Sequence, residues 1–234
     1  MHISGQQKLT LIDFPGHLAT TIFTSGCNFR CPFCHNPELA MGKIEKISSS
    51  ESKSETDFFK FLSARKGKID GVCITGGEPT LQPGLVDFIK KIKACEFFVK
   101  LDTNGTRPDV LKCLLDLKLL DFVAMDIKNS PEKYSETVGV NVDVEKIKAS
   151  VELIRNSFID YEFRTTVVPG IHDYVDFLAI ANWLSGSKAY YLQEYRDAVI
   201  LDSNLRKKTK NQKIDLEKIK QTIEHHFQKM GIRS

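Results

Sequence analysis

Three cysteines fall close together in CNFRCPFC, at Cys27, Cys31 and Cys34, spaced C-x3-C-x2-C. Thiolates are good ligands for zinc and for iron–sulfur clusters. A structural zinc site closes with four ligands, whereas a catalytic metal site keeps one position open. No fourth thiol follows nearby. A [4Fe–4S] cubane bound by this loop alone would have three irons held and the fourth open. Gly26 lets the chain turn tightly into the loop. Phe33, between the last two cysteines, would shield a cluster. The alternative is zinc bound as Cys3His through His35. It is the weaker reading, because His35 directly follows Cys34 and adjacent side chains rarely converge on one ion, and the usual distant ligand pair is absent. Cys73, Cys95 and Cys113 fall inside strand or helix patterns and read as small buried hydrophobes. A distant fourth ligand among them stays open.

Other polar motifs recur along the chain. ITGGEPTLQ (74–82) offers Gly76 and Gly77, where backbone can approach a ligand closely, and the carboxylate of Glu78. A plain strand-to-helix turn with a capping acid is the alternative. KLDTNGT (100–106) carries Asp102, Thr103 and Asn104, and AMDIK (124–128) carries Asp126 and Lys128. Ordinary turn chemistry would explain the first of these. As a site, they form a polar wall in which Asp102 and Asp126 share a cation, since neighbouring carboxylates repel unless paired or metal-bound. FRTTVVPGIHD (163–173) adds Arg164 and Thr166, and LQEYR (192–196) brings Gln193 and Arg196 toward the same rim. His172, His225 and His226 receive no role. No Ser-His-Asp set and no phosphate-cradling GxxxxGK[ST] is present.

The elements that must carry these groups alternate. Short β-branched or aromatic runs at 19–26, 68–77, 96–105, 120–128, 161–170 and 189–196 read as strands. Between them lie helical stripes: Leu85, Ile89, Ile92; Val110, Leu111, Leu114, Leu115, with Pro108 at the start; Val144, Ile147, Val151, Ile154; and Tyr174, Phe177, Leu178, Ala181, Leu184. Leu216, Ile219, Ile223 and Phe227 make a last stripe. Strand–helix alternation implies parallel strands with right-handed crossovers. The expected fold is α/β, a partial (β/α)6 TIM-like barrel, with an open doubly wound sheet as the alternative. In both, ligands bind at the C-terminal strand ends, where every polar motif above falls. We expect one domain over 1–234, with its core at about 15–200 and a helical extension at about 205–234.

The chain has 234 residues, 41% hydrophobic and 27% charged, with net charge +3. That balance excludes a disordered chain and a strongly basic nucleic-acid binder. No apolar run spans a bilayer. MHISGQQKLTLIDFPG lacks the apolar core and cleavage site of a signal peptide, so the expected location is cytoplasmic. There the six cysteines would be reduced, favouring metal chemistry over disulfides. ISSSESKSETD (47–57) reads as a loop entering a helix. LRKKTKNQK (205–213) reads as a solvated basic face, with docking to an acidic partner as the alternative.

The cysteine spacing, with an aromatic before the last thiol and after a first strand, resembles the radical S-adenosylmethionine (SAM) superfamily. The resemblance implies a [4Fe–4S] cluster on Cys27, Cys31 and Cys34, its fourth iron chelated by the methionine amine and carboxylate of SAM. It implies that Gly76, Gly77 and Glu78 hold the SAM ammonium, and that Arg164 and Thr166 line the ribose and adenine side. LDTNG and MDIK look like segments of glycyl-radical-enzyme activating proteins. There an acid and a lysine like Lys128 belong to the SAM site, and some relatives bind a monovalent cation nearby. The implied chemistry is one-electron cleavage of the sulfonium C–S bond and hydrogen abstraction by a 5′-deoxyadenosyl radical. LTLIDFPGHLATTIFTSGCNFRCPFCHNPEL, VPGIHDYVDFLAIANWL and YYLQEYR narrow the resemblance to activating proteins for anaerobic ribonucleoside-triphosphate reductase, over about residues 5–200. The implied partners are that glycyl radical enzyme and a flavodoxin- or ferredoxin-type electron donor, with neither nucleic acid nor membrane. A radical SAM enzyme acting on a pterin-like or nucleoside substrate is the alternative. A non-enzymatic metal or electron-transfer protein is the third reading.

Overall fold

A computed structural model describes residues 1–42, 54–196, 200–209 and 212–233. One sheet of eight strands carries the molecule, in the order β1 to β8 of the sequence itself. The strands are β1 Gly5–Thr10, β2 Ala19–Thr24, β3 Gly71–Gly76, β4 Phe98–Thr103, β5 Phe122–Asp126, β6 Asp160–Val167, β7 Ala189–Glu194 and β8 Lys229–Arg233. β1 pairs antiparallel with β2, and every later pairing is parallel. A doubly wound sheet would reverse its strand order at a switch point. This order never reverses, as in a partial barrel.

The helices are α1 Pro37–Ala40, α2 Glu55–Ala64, α3 Leu85–Ala94, α4 Pro108–Asp116, α5 Tyr134–Val138, α6 Val144–Arg155, α7 Tyr174–Trp183, α8 Leu205–Thr209 and α9 Leu216–Ile223. Local chemistry starts them where expected. Pro108 opens α4, Asp143 caps α6, and Asp173 with Asp176 forms a reciprocal capping box on α7. Their apolar faces cover the outside of the sheet. On α3, Leu85, Phe88, Ile89 and Ile92 are fully buried, each contributing roughly 1.5–3 kcal/mol. Leu178 departs from its stripe and is exposed on α7. Cys73 is buried as expected, but Cys113 lies exposed on α4.

Parallel strands covered on both faces usually read as unbroken apolar runs. Here they alternate. On β6, Tyr161 and Phe163 pack outward while Glu162, Arg164 and Thr166 take the opposite face, so one side of the sheet is a polar interior.

Two expectations change. The sheet has eight strands rather than six. The edge strand β1, GQQKLT, alternates too weakly to show a period, because three of its residues face solvent. The segment about 205–234 is not a helical extension alone. It holds α8, α9 and then β8, which adds to the sheet beside β7. The loop expected at 47–57 lies mostly outside the described residues; Ser54 caps α2 by accepting from the Asp57 N–H.

Candidate functional site

The loop after β2 is pinned by backbone bonds from both sides. Gly26 N–H donates to Leu39 O at 2.7 Å and Cys27 N–H to Ala40 O at 3.1 Å, so α1 folds back onto the loop's start. Arg30 N–H reaches Val138 O at 2.8 Å, anchoring the middle to α5. Cys27, Cys31 and Cys34 then line one cavity of about 260 Å³ at the C-terminal strand ends. Burial pushes the Cys31 thiol up to about 12 and raises that of Cys27. Such thiols stay neutral until a bound cation takes their charge. Phe33 is buried beside them, edge-on to His172 at 6.3 Å between ring centres.

The zinc alternative fails on geometry. Among the described residues, no group of three or more His, Cys, Asp or Glu side chains converges to hold a single ion. His35 lines the same cavity but is engaged elsewhere, its Nε2 placed 3.2 Å from Arg196 O and its ring stacked on Tyr195. Cluster thiolates bind separate irons and need not meet at a point.

Gly76 and Gly77 do permit a close approach, but of the cysteine loop. A Cβ at Gly77 would collide with the Gly26 carbonyl, and one at Gly76 with the Thr24 backbone. Gly77 N–H donates to Thr24 O at 2.9 Å and Glu78 N–H to Gly26 O at 2.8 Å. Glu78 lines the cavity and is buried. Its carboxylate accepts from Thr80 N–H at 3.1 Å, Thr103 Oγ1 at 2.7 Å, Asn104 N–H at 2.7 Å and the Thr80 hydroxyl. Three of these donors crowd Oε1 and one reaches Oε2, so Oε2 keeps an acceptor site. Burial pushes its carboxyl up against the pull of those donors. Glu78 therefore brackets the β3 and β4 ends together. Asn104 continues the bracket: its side-chain amide donates to Asn28 Oδ1 at 2.9 Å and lies 3.9 Å from Cys27 Sγ.

A ladder of charges runs along the neighbouring strand ends. Arg164 lies 2.9 Å from Asp126 and 3.4 Å from Asp102. Asp102 is also paired with Lys100, and Asp126 with Lys128 at 2.9 Å. Burial opposes ionisation of both acids, yet the flanking cations hold both below the usual carboxylate range. The cation expected between Asp102 and Asp126 thus has a protein counterpart, the Arg164 guanidinium. Thr166 and Gln193 complete the lining. Arg196 does not. It is exposed and lies beyond the end of β7, where its carbonyl meets His35. The residues missed were Asn28, Lys100 and Glu162, the last two at every-second-residue spacing from Asp102 and Arg164.

The radical SAM superfamily model matches residues 21–184 of this chain. The chain belongs to the radical SAM superfamily. A Methanocaldococcus jannaschii protein assigned as a glycyl-radical enzyme activating enzyme is 32% identical over 99% of this chain and 95% of its own length. A pyruvate formate-lyase-activating enzyme of Clostridium pasteurianum is 35% identical over 53% of this chain and 50% of its own. The crystal structure of Streptococcus suis SuiB superposes with TM-score 0.63 at 13% identity, over 92% of this chain and 48% of that one. The last likeness is one of fold alone, and this chain spans about half the length of those two proteins.

This radical SAM enzyme therefore takes the cofactors of its family, a [4Fe–4S] cluster and SAM. Its donor set fits them: three thiols of one loop share a cavity wall, and Phe29 N–H donates to Cys27 Sγ at 3.4 Å, a type of bond that tunes cluster sulfurs. The same cavity is lined by carboxylates and cations suited to a zwitterionic ligand.

Proposed function

We propose that this radical SAM enzyme generates a glycyl radical on a partner enzyme, anaerobic ribonucleoside-triphosphate reductase. The observation that carries the reading is one cavity lined by Cys27, Cys31 and Cys34 together with Asp102, Arg164, Asp126 and Lys128. The near full-length likeness to an assigned activating enzyme supports a protein glycine as substrate.

In this reading Cys27, Cys31 and Cys34 hold the cluster. When bound, cluster and SAM supply one-electron reductive cleavage and hydrogen-atom abstraction. The chain's own groups do the rest. Lys128 neutralises the SAM carboxylate, and Asp126 orients Lys128 through its 2.9 Å pair. Thr166, Gln193 and Arg164 line the nucleoside side, while Gly76, Gly77, Thr103 and Asn104 form the turn that seats the cysteine loop. Phe33 keeps water from the thiols. A monovalent cation beside Asp102 and Asp126 would compete with Arg164 for the same oxygens, so the reading leaves Arg164 there. The electron donor is a flavodoxin or ferredoxin type. No helix among the described residues is long and apolar enough to cross a membrane, and we assign the cytoplasm, where free thiols persist.

The test is anaerobic incubation of the loaded enzyme, SAM and reductant with the reductase, read by electron paramagnetic resonance. A glycyl doublet that disappears when SAM is omitted is expected. No doublet, with multiple SAM turnovers on a nucleoside or pterin-like compound instead, would replace this reading with the small-molecule one.

A further inference from the structure

The strand β8 turns two residues toward the same interior as Arg164. Gly231 is in register with Tyr191 and Arg233 with Gln193, a residue that lines the cavity. A Cβ at Gly231 would stand 2.8 Å from the Tyr191 ring, so glycine leaves that ring its place. The Arg233 guanidinium lies 3.7 Å from the centre of the same ring. Its two terminal nitrogens donate to the two oxygens of Glu162, each at 2.7 Å. Such bidentate pairs are the strongest and most directional of ion pairs. Glu162 itself is 2% exposed.

Arg164 also reaches toward Glu162, at 4.0 Å, while holding Asp126 at 2.9 Å and Asp102 at 3.4 Å. Three carboxylates thus compete for one guanidinium, and Arg233 removes one competitor. We infer that Arg233 is a positioning residue for SAM: by satisfying Glu162 from β8, it keeps Arg164 on Asp102 and Asp126. A buried carboxylate left unpaired draws in the nearest cation. Without Arg233, Arg164 swings toward Glu162 and loosens from both acids. Asp102 keeps Lys100, but Asp126 is left with Lys128 as its cation, which is then held more tightly and away from SAM. The inference rests on the proposed reading that Arg164, Asp126 and Lys128 line the SAM site.

The experiment measures SAM affinity of the cluster-loaded protein under anaerobic conditions by titration calorimetry, with SAM as the only added ligand. R233M is expected to weaken SAM by about tenfold, the size of one charge-assisted hydrogen bond. The double variant E162Q/R233M is expected to return within about twofold of the starting protein, because the charge that demands a partner is gone. Packing loss at Arg233 would not be repaired that way. If R233M does not fold, R233Q with E162Q/R233Q carries the same comparison, since glutamine is also uncharged. Unchanged affinity in the single variant, or a double variant as weak as the single, overturns the inference and leaves the site reading intact. A starting protein that holds its cluster but binds no SAM overturns the site reading, and the inference with it.

Discussion

The backbone N–H of Asn104 donates to the buried carboxylate of Glu78 at 2.7 Å, joining the end of β4 to the end of β3. Glu78 thereby ties together segments that also contact the cysteine loop. E78A would leave the Asn104 and Thr80 N–H groups buried without acceptors. We expect it to lower the stability of the metal-free protein by about 3 kcal/mol. Urea denaturation measures this. Wild-type stability in E78A would show that Glu78 is free for a ligand instead.

Gly77 predicts a separable defect. Its missing Cβ is where the Gly26 carbonyl lies. G77A must push the cysteine loop outward while leaving the helices and their core untouched. Iron per chain after reconstitution is expected to fall by more than half (about one order of magnitude in affinity or more, from the cost of overpacking), with unchanged far-ultraviolet circular dichroism. Normal iron content would mean that the loop yields freely.

Asp126 sets a dependence on pH. Arg164 and Lys128 outweigh its burial and hold its folded pKa below the unfolded value of 3.8. The unfolded chain therefore binds the proton more tightly, and stability rises with pH. The contribution is fully present above about pH 5 and is lost as pH falls through 3.8 toward the folded value. D126N lacks it. Unfolding curves of the two metal-free proteins should differ at neutral pH and converge on acidification. A constant difference would mean that Asp126 does not gain its charge stabilisation from these pairs.

The cysteines divide cleanly. C27A, C31A and C34A should each abolish cluster-dependent SAM cleavage. C113A, altered at an exposed position on α4, should keep full iron. Cleavage retained in any of the first three removes that residue from the ligand set. Iron lost from C113A would reveal a fourth ligand.

Much of this arrangement was legible because the barrel interior is polar. Parallel strands that alternate, as in Tyr161, Glu162, Phe163, Arg164, announce a wet inner face, and the same period-two rule points to Lys100 and Glu162 beside Asp102 and Arg164. The rule stops at the strand end. Arg196 lies two residues past β7, where alternation no longer fixes direction, and its side chain faces outward. The bracketing bonds of Glu78 were hidden for another reason: its donors come from Thr80, Thr103 and Asn104, and only folding brings the last two near. β8 was hidden because KMGIR is short, holds a glycine and follows a strong helical stripe.

The measurement closest to the central claim is electron paramagnetic resonance of the reconstituted, reduced protein with and without SAM. Three thiols around one cavity, with no fourth convergent ligand among the described residues, predict a reduced [4Fe–4S] signal that changes when SAM is added. A cubane signal indifferent to SAM, or tightly bound zinc with no cubane signal, would contradict the account.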